Sequence, residues 1–199
     1  FPGLTAKDGS YSKQEFINLQ RMGLEYGVRI IPEIDIPAHS LAFAHYKPEI
    51  ASRKYGMDHL DLYKKETYQF VDGLFKEYLE GKNPVFRGKV VHIGTDEYNK
   101  KEAEQYRYFT DRYLKFVEKY GKNVRMWGGL KWLPGKTPVK AEGVTVNAWS
   151  YDWVDPVVSL QDGYKLINTC DTYLYIVPAA GYYRDFLDHQ WIYEKWSPW

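Results

Sequence analysis

Apolar runs and amphipathic stretches alternate along the chain, and their spacing predicts its elements in turn. Ser12 and Glu15 form a reciprocal capping pair, so a helix is expected from there to about Tyr26, closed by Gly27. Val28–Ile34 (VRIIPEI) follows as a buried strand. Phe70, Val71, Leu74, Phe75, Tyr78 and Leu79 recur on one helical face, which predicts a helix over roughly Glu66–Leu79 that Gly81 ends. The strand Lys89–Gly94 comes next, then a helix near Lys101–Tyr120 ended by Gly121. Further strands are expected at Val124–Gly128, Val144–Trp149 and Tyr164–Cys170, with a short helix near Pro156–Gln161 before the last. No repeat, low-complexity tract or linker breaks the pattern, so residues 1–199 read as a single domain.

Strands alternating with helices predict an α/β fold with a mainly parallel sheet. Polar and aromatic residues gather just after the strands: Asp35 and His39, Asp96 and Glu97, then Trp127, Trp149 and Tyr173. Function placed at the carboxyl ends of successive strands is the habit of a (β/α)8 TIM-type barrel. A doubly wound sheet would use mainly its switch point, and no Gly-rich phosphate loop is present. A barrel has eight strands and about 250 residues. The pattern here supplies five strands, so the expectation is a barrel lacking some of them. The start at Phe1-Pro2-Gly3, without Met, reads as a piece of something longer.

The stretch Lys89–Tyr98, KVVHIGTDEY, carries the sharpest chemistry. Asp96 and Glu97 stand side by side at the mouth of a β-branched, apolar strand. Like charges at short range each disfavour ionisation of the other, so such a pair points to acid–base work. A solvated loop start is the bland alternative. Ordinary retaining glycosidases hold two carboxyl groups about 5–5.5 Å apart across the scissile bond, and inverting ones hold them wider. Neighbouring residues have Cα atoms about 3.8 Å apart and diverging side chains, which does not let them straddle a sugar. One could act as acid while the other positions a nucleophile from elsewhere, including from the substrate itself.

Composition narrows the partners. The formal net charge is +1, which gives no reason to expect nucleic acid or an anionic membrane surface. No apolar run approaches the ~18–20 residues of a membrane span. Cys170 is alone, so no internal disulfide or cysteine metal cluster is expected. Seven Trp and 19 Tyr supply flat surfaces with polar tips, and without a basic surplus these suit sugars better than bases.

Together these residues resemble glycoside hydrolase family 20, the β-N-acetylhexosaminidases. IPEIDIPAHS (Ile31–Ser40) is similar to the family's PEID-x-PGH segment, with Ala38 in place of the usual Gly. VHIGTDE (Val91–Glu97) is similar to its HIGGDE segment, with Thr95 for the second Gly. The order of Trp127, Trp149, Tyr173 and Trp191 resembles the aromatic residues that line the family's sugar pocket, and Phe1–Tyr26 resembles its helix before the third strand. The resemblance implies a (β/α)8 barrel whose first, second and eighth strands lie outside this sequence, with a sugar-binding Arg and a late Trp and Glu.

The resemblance also implies roles. Glu97 would be the general acid and later the general base, a role that burial would suit. Asp96 would hold the substrate's 2-acetamido group, whose oxygen would be the nucleophile on the way to an oxazolinium-like intermediate; the family is an exception to the two-carboxylate rule. Tyr173 would aim the acetamido oxygen, and Trp127, Trp149 and Trp191 would wall the pocket. His92 and His39 would orient or tune the carboxylates, with Asp35 as partner or loop anchor. Tyr175 stands where much of the family has an Asp that contacts outer hydroxyls, so GlcNAc and GalNAc are not distinguished and room for a longer glycan is open. No cofactor or metal is expected, the implied partner is an N-acetylhexosamine-containing glycan, and the implied location is secreted or at the cell surface. Trp132, Trp153, Trp196 and Trp199 read as packing or surface residues, and Met126 and Cys170 as packing residues of strands. Rival readings are a metal hydrolase built on Asp35, His39, His92 and Asp96, a non-catalytic sugar-binding barrel, and an enzyme that releases a disaccharide in the manner of a lacto-N-biosidase.

Overall fold

A computed structural model describes residues 1–197 and places the chain's elements in the predicted alternation. Helix α1 (Lys13–Glu25) begins at the Ser12–Glu15 capping box. Strand β1 (Glu33–Ile36) follows, then a short helix α2 (Leu41–Tyr46) and an antiparallel pair, β2 (Ala51–Ser52) and β3 (Gly56–Leu60). Helix α3 (Lys65–Leu79) leads to β4 (Val90–Gly94), and α4 (Ala103–Glu118) to β5 (Asn123–Trp127) and β6 (Val144–Ala148). Helix α5 (Pro156–Gln161), strand β7 (Lys165–Asn168), α6 (Asp171–Leu174) and α7 (His189–Lys195) complete the order.

Five strands form one sheet in the order β1-β4-β5-β6-β7, every neighbouring pair parallel. Period-2 alternation gives the sheet two unlike faces. Ile34, Ile36, Val91, Ile93, Val124, Met126, Val144 and Val146 are buried on one of them. They join one core with Phe70, Val71, Leu74 and Phe75 of α3 and Phe109, Tyr113, Leu114 and Val117 of α4. Burying each large side chain of that kind contributes about 1.5–3 kcal/mol. The alternate positions, Glu33, Asp35, His92, Arg125, Trp127 and Asn147, are polar or amphipathic and face the other way. This is an arc of a barrel-type sheet, open among the described residues, with its chemistry on the concave side.

Three expected boundaries move. The first strand is Glu33–Ile36 rather than Val28–Ile34. Val28 is over half exposed and is spent closing α1, donating to Gly23 O, and Pro32 has no N–H for a ladder; pairing with β4 starts at Glu33 opposite His92. The last strand stops at Asn168, whose side chain accepts Cys170 N–H and turns the chain, so the buried Cys170 caps α6 instead of ending a strand. The first turn of the helix expected over Lys101–Tyr120 is 3-10, over Lys100–Glu102, because Asn99 caps it locally. Helices α2, α6 and α7 and the β2–β3 pair are absent from the sequence expectation, being too short to show a period. Met126 packs in β5 as expected, Trp153 lies between Trp132 and Trp149, and Trp199 lies outside the described residues.

Candidate active site

The two motifs meet because β1 and β4 are neighbours. Asp35 sits near the end of β1, and the following loop carries His39; β4 ends at Gly94, and Thr95-Asp96-Glu97 follow. Gly94 has φ +68, and a Cβ there would collide with the Asp35 carboxylate, so only glycine lets these two strand ends close together.

The backbone beyond the strands is strained. His39, Thr95 and Glu97 have φ of +53, +85 and +54, conformations that side-chain-bearing residues rarely adopt. Such positions cost about 1–3 kcal/mol each and persist only where the surroundings fix them. Thr95 donates through Oγ1 to Trp127 O at 3.1 Å, and its own carbonyl accepts the buried Tyr106 O–H at 2.6 Å. The family pattern has Gly where this chain has Thr95, and the φ there is one a glycine would take freely.

His39 ties the site together. Its Nε2 lies 3.3 Å from Asp96 Oδ2 and 3.1 Å from Glu97 Oε2. The hydrogen bond to Asp96 outweighs partial burial and pushes the imidazole up to about 9, so at neutral pH it is a cation set between the Asp96 and Glu97 carboxyl groups. Asp35 goes the other way for a carboxyl: burial first, then the charge of Asp96, push it up to about 8. The site therefore holds an imidazolium at His39 and a proton on Asp35 at neutral pH. Asp96 is 17% exposed, while Glu97 is 47% exposed and corrects the expectation that it would be buried. One oxygen of Asp96, Oδ1, is buried with no hydrogen-bond partner among the described residues, as is Oδ1 of Asp35.

His92 has a different role from His39. It is 5% exposed, burial pulls it down to about 4, and its Nδ1 accepts Gly94 N–H at 3.1 Å, so it is a neutral ring bracing the end of β4. Trp127 packs on it at 4.8 Å and donates its indole N–H to Glu33 Oε1 at 2.7 Å. Glu33 was not among the expected site residues; the signal was its place two positions before Asp35 on the same strand face. Its proton affinity is raised, mainly by burial.

The remaining aromatics divide. Trp149 is 6% exposed, donates to Gly128 O and packs on Trp153 as part of the core cluster. Tyr173 stacks on Trp191 at 4.6 Å and 21°, with the Arg184 guanidinium 4.0 Å over the indole. Tyr173 also lines a cavity of about 500 Å³ with Tyr151, Asn168 and Trp196. The Tyr175 hydroxyl is pushed up first by burial and then by surrounding groups, Tyr183 and Asp171 before Asp96 and Glu97. Tyr183 packs on it at 5.3 Å and also feels Glu97; nothing in the spacing pointed to Tyr183.

Asp35, His39 and Asp96 each bring a ligand atom to within 4.8 Å of the others, a separation that could hold a cation. A cation there would have to displace the protons that His39 and Asp35 keep at neutral pH. His92 is not part of that trio.

An arc of parallel strands with an acidic site at its carboxyl ends places the chain among barrel-type α/β proteins. The family model described as glycosyl hydrolase family 20, catalytic domain, matches residues 4–182, and the chain belongs to that family. Beta-hexosaminidase 3 of Arabidopsis thaliana is 24% identical over 63% of this chain and 26% of its own length. The lacto-N-biosidase of Bifidobacterium bifidum is 25% identical over 87% of this chain and 17% of its own length. A mutant Streptomyces plicatus beta-hexosaminidase solved in complex with product GlcNAc superposes with a TM-score of 0.69 at 25% identity, covering 84% of this chain and 35% of that one. The chain thus spans about a quarter of the first of these relatives.

Proposed function

We propose that the protein containing this chain is a retaining exo-glycosidase that releases terminal β-linked N-acetylhexosamine, with the substrate's acetamido oxygen as nucleophile. The observation that carries the reading is the division of labour between neighbours. Asp96 is largely sequestered and held on His39, where it can take an amide N–H and balance charge; Glu97 is 47% exposed and can reach a glycosidic oxygen. In the first half-reaction Glu97 gives its proton to the leaving oxygen as the C1–O bond breaks and the acetamido oxygen closes on C1. Asp96 accepts the amide N–H and balances the positive charge of the oxazolinium ring. In the second, Glu97 takes a proton from water as that water's oxygen bonds to C1 and the ring reopens. Two inversions return the original configuration. His39 holds both carboxylates in register throughout. By the same resemblance the protein works at a secreted or cell-surface location.

The test is turnover by the complete protein of an aryl β-N-acetylglucosaminide against the matching plain β-glucoside. Strong preference for the first, with inhibition by a thiazoline mimic of the cyclic intermediate, supports the reading; equal rates on the two sink it. Loss of activity on chelation, restored by zinc, would instead favour the metal rival.

A second reading, release of a disaccharide, is favoured by Tyr175 and Tyr183. The two rings pack on each other at 5.3 Å, and an aromatic pair here could stack on a second sugar where an Asp could not. Likeness to a lacto-N-biosidase over 87% of the chain supports the same option. An aryl glycoside of a disaccharide ending in N-acetylglucosamine, cleaved faster than the single-sugar glycoside, selects this reading.

A further inference from the structure

The β2–β3 hairpin takes no part in the proposed chemistry, yet it touches both loops that carry it. From β3, Asp58 O accepts Ser40 N–H at 2.8 Å and Leu60 N–H donates to Pro37 O at 2.8 Å, so the two bonds bracket His39. Leu60 O also accepts the O–H of Tyr98, the residue after Glu97, at 2.7 Å. A few residues further along that second loop, Glu102 is 9% exposed and collects three donors. Its Oε1 accepts Lys54 Nζ at 2.7 Å and Tyr55 O–H at 2.6 Å, both from the hairpin turn, and its Oε2 accepts Tyr63 O–H at 2.6 Å. The turn is braced from within by Ser52 Oγ, which accepts the backbone N–H of Lys54 and Tyr55. Rings fill the space between, with His59 5.2 Å from Tyr98 and 6.3 Å from Tyr55.

We propose that Glu102 and its three donors form a latch that locks the hairpin to the loop after β4 and so sets His39 against Asp96 and Glu97. Glu102 is a positioning residue in this scheme and touches no reacting atom. Both His39 and Glu97 hold left-handed backbone, which needs outside support to persist. The hairpin is the piece that reaches both, and charge-assisted hydrogen bonds to a carboxylate are roughly twice as strong as neutral ones. The inference rests on the catalytic reading of the Asp96–Glu97 pair.

The experiment is made on the complete protein. Glu102→Gln keeps the side chain's shape but turns an N–H2 towards donors, and Tyr63→Phe removes one donor at an exposed position. Small displacements of a positioned group cost up to 10²-fold, so Glu102→Gln is expected to lower kcat roughly 10–50-fold with KM within about twofold, and Tyr63→Phe about 2–5-fold. A second readout needs no turnover: titration of the His39 imidazole by NMR. The charged groups facing it are Glu33 and Asp35 from β1, Asp58 from β3 and Asp96 and Glu97 after β4. In Glu102→Gln the titration should move down from about 9 towards an ordinary imidazole value as the carboxylates drift away. A loss of activity that only tracks the unfolded fraction, with His39 titrating as in the parent, overturns the latch. Absent turnover by the parent protein counts against the catalytic reading, and the imidazole titration then still decides the latch.

Discussion

Two carboxylate sites on neighbouring parts of the fold behave in opposite ways. Glu102 is given three donors, and the hydrogen bonds from Lys54, Tyr55 and Tyr63 pull it down to about 2. At the strand ends, Asp35 is buried beside the charge of Asp96, has an oxygen with no donor, and is pushed up to about 8. The first arrangement spends its donors and becomes scaffolding. The second withholds them, so Asp35 keeps its proton at neutral pH. Perturbation of this second kind, in a strained loop at a strand end, is what separates chemistry from mere burial.

The sharpest way to break that contrast is to remove the carboxylates of the strained site. Asp96→Asn and Glu97→Gln should each lower kcat by roughly 10²–10⁴-fold, the span expected for lost acid–base or charge stabilisation. They should differ in kind. Glu97→Gln should spare substrates with good leaving groups, whereas Asp96→Asn should damage turnover of all of them. Identical leaving-group profiles would undo the division of roles.

Next comes the pH dependence of stability. His39 binds its proton more tightly folded, at about 9 against an ordinary imidazole value of 6.5, so its contribution is whole below about 6.5 and is lost as pH rises through 9. Asp35 acts in the same direction, because its folded value of about 8 exceeds 3.8 and the unfolded chain releases that proton first. His92, held neutral down to about 4, opposes them only below about 6.5. Tm should therefore fall by a few degrees between pH 6.5 and 9, and Asp35→Asn should flatten the slope. A Tm constant over that interval contradicts the charge states assigned to the site.

The smallest effect concerns the strained threonine. Thr95→Gly loses the bond to Trp127 O but relieves φ +85, so its stability should lie within about 1 kcal/mol of the parent. Thr95→Ala loses the bond and keeps the strain, and should be the less stable of the two by thermal melting. The reverse order would mean that the loop is not strained there.

Much of this was legible in the sequence, and the gaps have causes. Helix α1 announced itself by Ser12 and Glu15, and α3 and α4 by their apolar stripes. Asp35, His39, Asp96 and Glu97 could be placed together because each directly follows a recognisable strand and the two strands are adjacent. The latch could not, since Lys54, Tyr55, Tyr63 and Glu102 share no period and meet only through a hairpin too short to read. Spacing placed Trp149 at a strand end but could not foresee that its indole N–H bonds Gly128 O. Tyr183 entered the site from an irregular stretch after α6, where no periodicity exists to predict a fold.

The central claim is that the substrate's own acetamido oxygen attacks, steered by Asp96. The most direct measurement is the turnover, by the complete protein, of aryl β-glucosaminides whose N-acetyl group carries zero, one, two or three fluorines. Each fluorine withdraws electrons from the amide oxygen while leaving the leaving group untouched. The account predicts that kcat/KM falls steeply and steadily along the series; a flat series would contradict it.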